Sequence, residues 1–239
     1  MKPISEYKAL VFDLDGTLYY QDRLRIKMAW MLLSYYLCHF WRIKELFIIK
    51  DFRKIREHWD EISPSLKARD EGPGVSGGKD PGEDKASAGL EDAQYAYVAG
   101  KFSCPVETVR NTIETWMYSK PLKAVFETRD SMLLKMIGDY KEKGQKIFIF
   151  SDYPIEDKLA ALGLKADGMY AATDERLNEL KPSPKGLKLI MQDHGLEPGD
   201  LLMIGDRMSR DGQAALNAGC DYLILPKNKA KREKLYKKM

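Results

Sequence analysis

The sequence predicts an α/β protein: a core with a parallel sheet, interrupted early in the chain by a helical insertion. Apolar runs of strand type at residues 8–12 (KALVF), 146–150 (KIFIF) and 201–205 (LLMIG) each lead into a polar residue able to do chemistry. Beyond residue 151, strand and helix patterns alternate, which indicates βαβ units and a parallel sheet. Between the first two runs the chain is instead helix-rich in character.

The first run places Asp13 where its strand stops, so that the carboxylate can leave the sheet edge into a crevice at the strand ends, where open α/β sheets bind ligands. Gly16 permits the chain reversal that returns Asp15 toward the same ligand. Two acids on one small site can divide labour. One stays ionised as nucleophile or metal ligand, while the other, partly desolvated beside a like charge, holds a proton for transfer. The plain alternative is a solvated Asp turn with Thr17 as a helix cap.

Residues 21–62 contain neither glycine nor proline and read as helical, whereas 63–92 are polar and glycine-rich, the composition of a flexible loop expected to be disordered. Pro105 opens a helical segment, VETVRNTIETWMY, that Pro121 closes. The segment AWMLLSYYLCHFW, residues 29–41, is apolar nearly all round and has basic residues on both flanks. It is too short to span a bilayer, which needs about 20 apolar residues. Three readings remain: the central helix of a helical bundle, buried on several sides; a homodimer or partner interface; or a helix lying at a membrane surface.

KIFIF ends in Ser151-Asp152, whose hydroxyl and backbone amides suit a phosphate. The elements MYAA, SPKGLKLIMQDHG, LLMIG, GQAALNAG and YLIL then follow in strand and helix alternation. Lys181, in KPSP, stands in a loop stiffened by two prolines, where one ammonium can neutralise a carboxylate-phosphate cluster. LLMIGDRMSRD ends a strand in Asp206, with Asp211 one short turn on, a pattern suited to a hard cation such as magnesium. Singly, Ser151 reads equally as a cap and Lys181, Asp206 and Asp211 as loop residues. Together they supply a nucleophile, an acid/base, a phosphate cradle and a metal site.

These residues, Asp13-Leu14-Asp15-Gly16-Thr17, Ser151, Lys181 and Gly205-Asp206 with Asp211, resemble in order the four motifs of the haloacid dehalogenase (HAD) superfamily. The resemblance covers residues 5–20 and about 125–226. It implies a Rossmann-like three-layer parallel-sheet core over residues 1–20 and 125–239, with a type 1 α-helical cap domain over 21–124. It implies phosphoryl transfer through an aspartyl-phosphate, as in phosphoglycolate-phosphatase-like hydrolases. On that resemblance Asp13 attacks phosphorus, and Asp15 protonates the leaving oxygen and later deprotonates water. Thr17, Ser151, Asp152 and Lys181 surround the phosphoryl group. Magnesium (Mg2+) falls to Asp13, the main chain of Asp15, and Asp206, with Asp211 nearby. Asp15 favours phosphate chemistry over halide displacement, because dehalogenase members need no leaving-group acid there.

Arg23, Arg25 and Lys27 lie close in sequence to the catalytic loop and, with Arg207, are candidate contacts for an anionic substrate; solvated charge is the plain reading. His39, His58 and His194 lie outside the motifs and read as structural. Cys38, Cys104 and Cys220 have neither metal nor redox spacing and suit reduced thiols in a cytoplasmic protein. The chain opens directly into its first strand, so no secretory signal is expected. A net charge of +3 does not argue for nucleic acid. The basic run after Pro226 reads as a solvated helical tail, or, paired with an exposed aromatic segment, as the second signal of a peripheral membrane anchor. The expected partner is a small phosphorylated substrate. A sugar-phosphate mutase, a membrane-surface lipid or prenyl phosphate phosphatase and a non-catalytic binding protein are the alternatives.

Overall fold

The computed structural model of the chain describes residues 2–63 and 89–238. Its centre is a five-stranded sheet of β1 (Ala9–Phe12), β2 (Lys146–Ser151), β3 (Gly168–Ala171), β4 (Leu201–Gly205) and β5 (Asp221–Ile224), in the order β3-β2-β1-β4-β5. Every pairing is parallel. β1 takes the middle because its four residues are apolar without alternation and buried on both faces, as a covered parallel sheet requires. Phe12 pairs with Ile149 on one side and Ile204 on the other, so β1, β2 and β4 end nearly level. Connections run to opposite sides of β1, which makes its carboxyl end the crevice of an open α/β sheet.

The α-helices that lie wholly within the described residues are, in chain order, α1 (Gln21–Cys38), α2 (Lys44–Glu57), α3 (Leu90–Phe102), α4 (Val106–Ile113), α5 (Leu122–Glu127), α6 (Ser131–Glu142), α7 (Glu156–Leu162), α8 (Lys185–His194), α9 (Gln213–Ala218) and α10 (Lys229–Tyr236). From β2 onward they alternate with strands as the sequence indicates. Pro105 caps α4, which continues as π-helical turns over Glu114–Ser119, and Pro121 caps α5. The insertion leaves and returns side by side. Tyr19 bridges Arg129, the Tyr20 amide donates to the Thr128 carbonyl, and the Asp130 amide donates to that of Leu18, both at 2.9 Å. The return crossing is therefore at Arg129, and position 124/125 falls inside α5. The stretch read as a flexible loop lies, over 64–88, outside the described residues; its ends are helical, at 63 and from Leu90.

Two expectations change. Within residues 29–41 only Tyr36 is buried, while Trp30, Leu37, Phe40 and Trp41 are 65 to 73% exposed, so the segment is not the buried centre of a bundle. α1 is held by one side only, through Leu24, Met28 and Tyr36; the Tyr36 ring packs on Trp116 and its hydroxyl donates to Glu45 at 2.9 Å. The basic C-terminal run is not a free tail either, because Arg232 and Tyr236 are buried in the core. Among the described residues no helix is long and apolar enough to cross a membrane. The three cysteines are free thiols.

Candidate active site

The ends of β1 and β4 bring Asp13, Asp206 and Asp211 together, with one carboxylate oxygen from each lying within 4.8 Å of the others. Close packing makes this convergence specific. Gly16, at φ +97°, sits so near Asp206 that a Cβ there would lie 2.6 Å from Asp206 Oδ2, and a Cβ on Gly205 would run into the Asp211 carboxyl. Lys181 is 1% exposed and reaches into the cluster, its Nζ donating to Asp13 Oδ1 at 2.5 Å, Asp211 Oδ1 at 2.7 Å and the Phe150 carbonyl at 3.2 Å. Burial opposes the ammonium, but the charges of Asp13, Asp211 and Asp152 outweigh it and raise its pKa.

Three carboxylates around one ammonium leave uncompensated negative charge. Burial, with Asp211 and Asp206 as like charges, pushes the Asp13 carboxyl well above the ordinary carboxylate range against the pull of Lys181, and burial with Asp211 raises Asp206. Asp211 goes the other way: Lys181 and the backbone amide of Arg207 outweigh its burial. Its Oδ2 also accepts the amides of Asp206 at 3.1 Å and Arg207 at 3.0 Å. An oxygen-only donor set with excess negative charge fits a hard divalent cation. Asp13 and Asp206 line the cavity and can face such a cation. Asp211 is buried behind them with both oxygens engaged, which suits an outer partner.

Asp15 follows a different path. Its Oδ1 accepts Lys158 Nζ at 2.6 Å and the Tyr19 hydroxyl, while its buried Oδ2 has no hydrogen-bond partner among the described residues. Burial raises its pKa, but the charge and hydrogen bond of Lys158, and then Tyr19, bring the net value below the ordinary one. The two acids are thus set apart: burial pushes the Asp13 carboxyl upward, while against its burial Asp15 is held below the ordinary range by Lys158 and Tyr19.

Both open into a cavity of about 450 Å³ between the sheet edge and the insertion, a size suited to a small ligand. Of the sequence candidates, Asp13, Asp15, Asp152, Asp206, Arg207 and Arg25 line it. Thr17, Ser151, Lys181 and Asp211 stand one layer behind, buried. Thr17 donates to Asp13 Oδ2 at 2.9 Å, and Ser151 Oγ accepts the Tyr153 amide at 3.0 Å. Asp152 Oδ1 accepts the Lys181 amide at 2.9 Å and so positions that lysine. Lys27 and Arg23 are not brought to the cavity. Lys27 pairs with Glu127 at 2.8 Å, and Arg23 stacks over Tyr20 beside a separate cleft.

Lys158, Tyr19, Arg53, Arg56 and Arg210 line the cavity without having been anticipated. Arg56 is 2% exposed, lies over the rings of Phe52 and Tyr153 and donates to Glu91 and the Tyr118 hydroxyl, both at 3.1 Å. Among the described residues its Nε and Nη2 are buried without partners. A signal for two of them exists. Lys158 falls with Ile155, Leu159 and Leu162, and Arg56 with Ile48, Phe52 and Ile55, on the core-facing stripe of a helix, where an unpaired charge has no place.

Comparison with known proteins agrees with this geometry. The family model for haloacid dehalogenase-like hydrolases matches residues 7–219. A 2-haloacid dehalogenase from Pseudomonas syringae is similar at 15% identity and TM-score 0.57, over 92% of this chain and 86% of that one. A HAD phosphatase from Thermococcus onnurineus is similar at 19% identity and TM-score 0.52, over 93% and 87%. A protein from Haemophilus somnus described as a predicted phosphoglycolate phosphatase is similar at 17% identity and TM-score 0.50, over 93% and 87%. A search of curated proteins gave no significant match. At these identities the structures speak for the fold, while the family model spans β1 to β4 and the insertion between the first two: the chain belongs to the haloacid dehalogenase-like hydrolases.

Proposed function

We propose that this hydrolase is a magnesium-dependent phosphatase acting on a phosphomonoester through an aspartyl-phosphate at Asp13. The observation that carries the reading is Asp15, a second carboxylate in the same cavity, tethered at Oδ1 by Lys158 and Tyr19 with Oδ2 left unpartnered. Ester cleavage needs a group that gives a proton to the departing oxygen and takes one from water. Departure of a halide needs none.

The Asp13 carboxylate, oriented by Thr17 and Lys181, attacks phosphorus in line as the ester P–O bond breaks. The leaving oxygen takes a proton from Asp15. Asp15 begins ionised, and the negative charge of an arriving phosphate raises its pKa and favours its loading with that proton. Once the alcohol has left, Asp15 is a base again and removes a proton from the water that attacks phosphorus, which frees phosphate and restores Asp13. Asp13 and Asp206, with Asp211 behind, would hold magnesium, which when bound would supply the positive charge that favours an ionised Asp13 beside an anionic substrate. Lys181 holds the cluster together throughout, and the insertion that leaves after Tyr20 and returns at Arg129 serves as the cap that excludes water.

The cavity favours one refinement of substrate. Leu24, Met28, Leu32, Ile49, Trp116 and Met117 line it on the side of the insertion, which suits an alcohol with an apolar body, as in a lipid or prenyl phosphate. Turnover of alkyl phosphates of increasing chain length tests this: kcat/KM should rise with length, and a flat series would remove the refinement. The phosphatase reading is tested by rapid quench with a substrate labelled at phosphorus. Label retained on the Asp13 peptide supports it, whereas halide release from 2-haloacids without phosphatase activity overturns it.

A further inference from the structure

We infer that the outward face of α1 is a docking surface for an anionic membrane, with the basic C-terminal helix α10 as a second point of attachment. Ile26, Trp30, Leu33 and Leu37 recur at intervals of four, three and four residues and so share one face of α1. They are 62, 69, 52 and 73% exposed. Phe40 and Trp41, in the short turn that follows, extend the patch with their rings 5.3 Å apart. Isolated exposed apolar residues are ordinary, but a run of this kind marks an interaction surface. The inner side of the same helix, through Leu24, Met28 and Leu32, lines the substrate cavity, so the outer stripe is not what holds α1 to the protein.

Charge selects the occupant. Between Gln21 and Asp51 the chain carries six basic residues against three acids, Asp22, Glu45 and Asp51; Lys27 and Arg42 are paired with Glu127 and Glu45 and Arg25 lines the cavity, which leaves Arg23, Lys44 and Lys50 as the remaining cations of the rim. Glu45 is buried and accepts the Tyr36 hydroxyl and Arg42 Nε, and Asp51 is paired with Lys101. A second copy docked about a two-fold axis would set this basic rim against itself, with little carboxylate left to answer it. An anionic headgroup layer supplies the missing charge, and tryptophans at the edge of an apolar stripe are the side chains that settle at headgroup level.

The C-terminal run adds the second signal. It carries seven basic residues and one acid after Pro226, and Lys227, Lys229, Lys231 and Lys234 are exposed. Lys227 and Lys229 face Gln21, Asp22 and Arg23 across a cleft, which puts this cluster at the N-terminal end of α1. An apolar element beside a basic cluster is the two-part attachment that stable peripheral binding needs.

Flotation of the full chain with vesicles of phosphatidylcholine alone, and mixed with phosphatidylglycerol, tests the inference. The mixed vesicles should bind on the order of tenfold more tightly, with the advantage shrinking as salt is raised. Trp30→Ser combined with Leu37→Ser should abolish binding without lowering the melting temperature. Lys231→Glu with Lys234→Glu, which leaves the apolar stripe intact, should weaken it several-fold and serves as the independent test should the first variant melt lower. Wild-type protein that stays unbound, binding untouched by either pair, or a dimer in sedimentation equilibrium that Trp30→Ser with Leu37→Ser dissociates without any vesicle binding, would each overturn it.

Discussion

Replacing Arg232 by methionine should destabilise the protein through the catalytic loop, although the residue lies in what reads as a solvated tail. Its guanidinium is 1% exposed, donates to the carbonyls of Pro226 at 2.7 Å, Thr17 at 2.8 Å and Gly16, and faces Asp130 Oδ2 at 3.3 Å. Asp130 is as buried, caps α6 through the Leu133 amide and accepts the Tyr236 hydroxyl at 2.8 Å. Methionine keeps an apolar stem beside Tyr20 but strands the Asp130 charge and three loop carbonyls. Removing one partner of a buried ion pair costs about 3–5 kcal/mol. For a chain of this size, at about 2–4 °C per kcal/mol, the melting temperature should fall by roughly 6–20 °C. Adding Asp130→Asn should cost less in that background than in the wild type, with a coupling of about 1–3 kcal/mol, because the stranded charge is then gone. A drop below about 2 °C, or additive effects, would refute the clamp.

Three further outcomes follow from the geometry. Lys158→Met removes the tether on Asp15, so kcat for an aryl phosphate should fall on the order of 100-fold with KM little changed, and a kcat within twofold of wild type would deny the tether a role. Arg56→Met removes the unpartnered guanidinium nitrogens, and steady-state kinetics should show KM rising about tenfold more for a substrate with a second anionic group than for a simple aryl phosphate. Burial and the 2.6 Å hydrogen bond to Asp221 push the Tyr7 phenol up to about 12 from an ordinary 10.0. A raised folded-state pKa gives stability that is whole below pH 10 and lost as pH rises toward 12; thermal melts should show Tyr7→Phe weakening that alkaline loss.

The sheet and three of the four motif elements were legible because the same local rule applies at each: an apolar run covered on both faces, then a polar residue at the strand end. Asp13, Ser151 and Asp206 follow it, and the parallel register then brings them level. What escaped notice was mostly charge hidden in helices. Lys158, Arg56 and Arg232 occupy inward-facing helical positions, but their partners Asp15, Glu91 and Asp130 lie 143, 35 and 102 residues away. No local window contains such pairs. The apolar count of residues 29–41 misled for a related reason: composition gives the hydrophobicity of a helix, whereas the partner available on each side decides its burial, and α1 has one on a single side. The same holds for the charge of Asp15: against its burial, Lys158, 143 residues away, lowers its pKa.

Phosphate release from a generic aryl phosphate, with and without magnesium, in wild-type protein and Asp13→Asn is the most direct measurement. Asparagine keeps the shape of the side chain and removes the nucleophile, so turnover should require both the metal and Asp13 while the melting temperature stays within the range of a surface substitution. Turnover that survives Asp13→Asn, or that is indifferent to magnesium, would contradict the account.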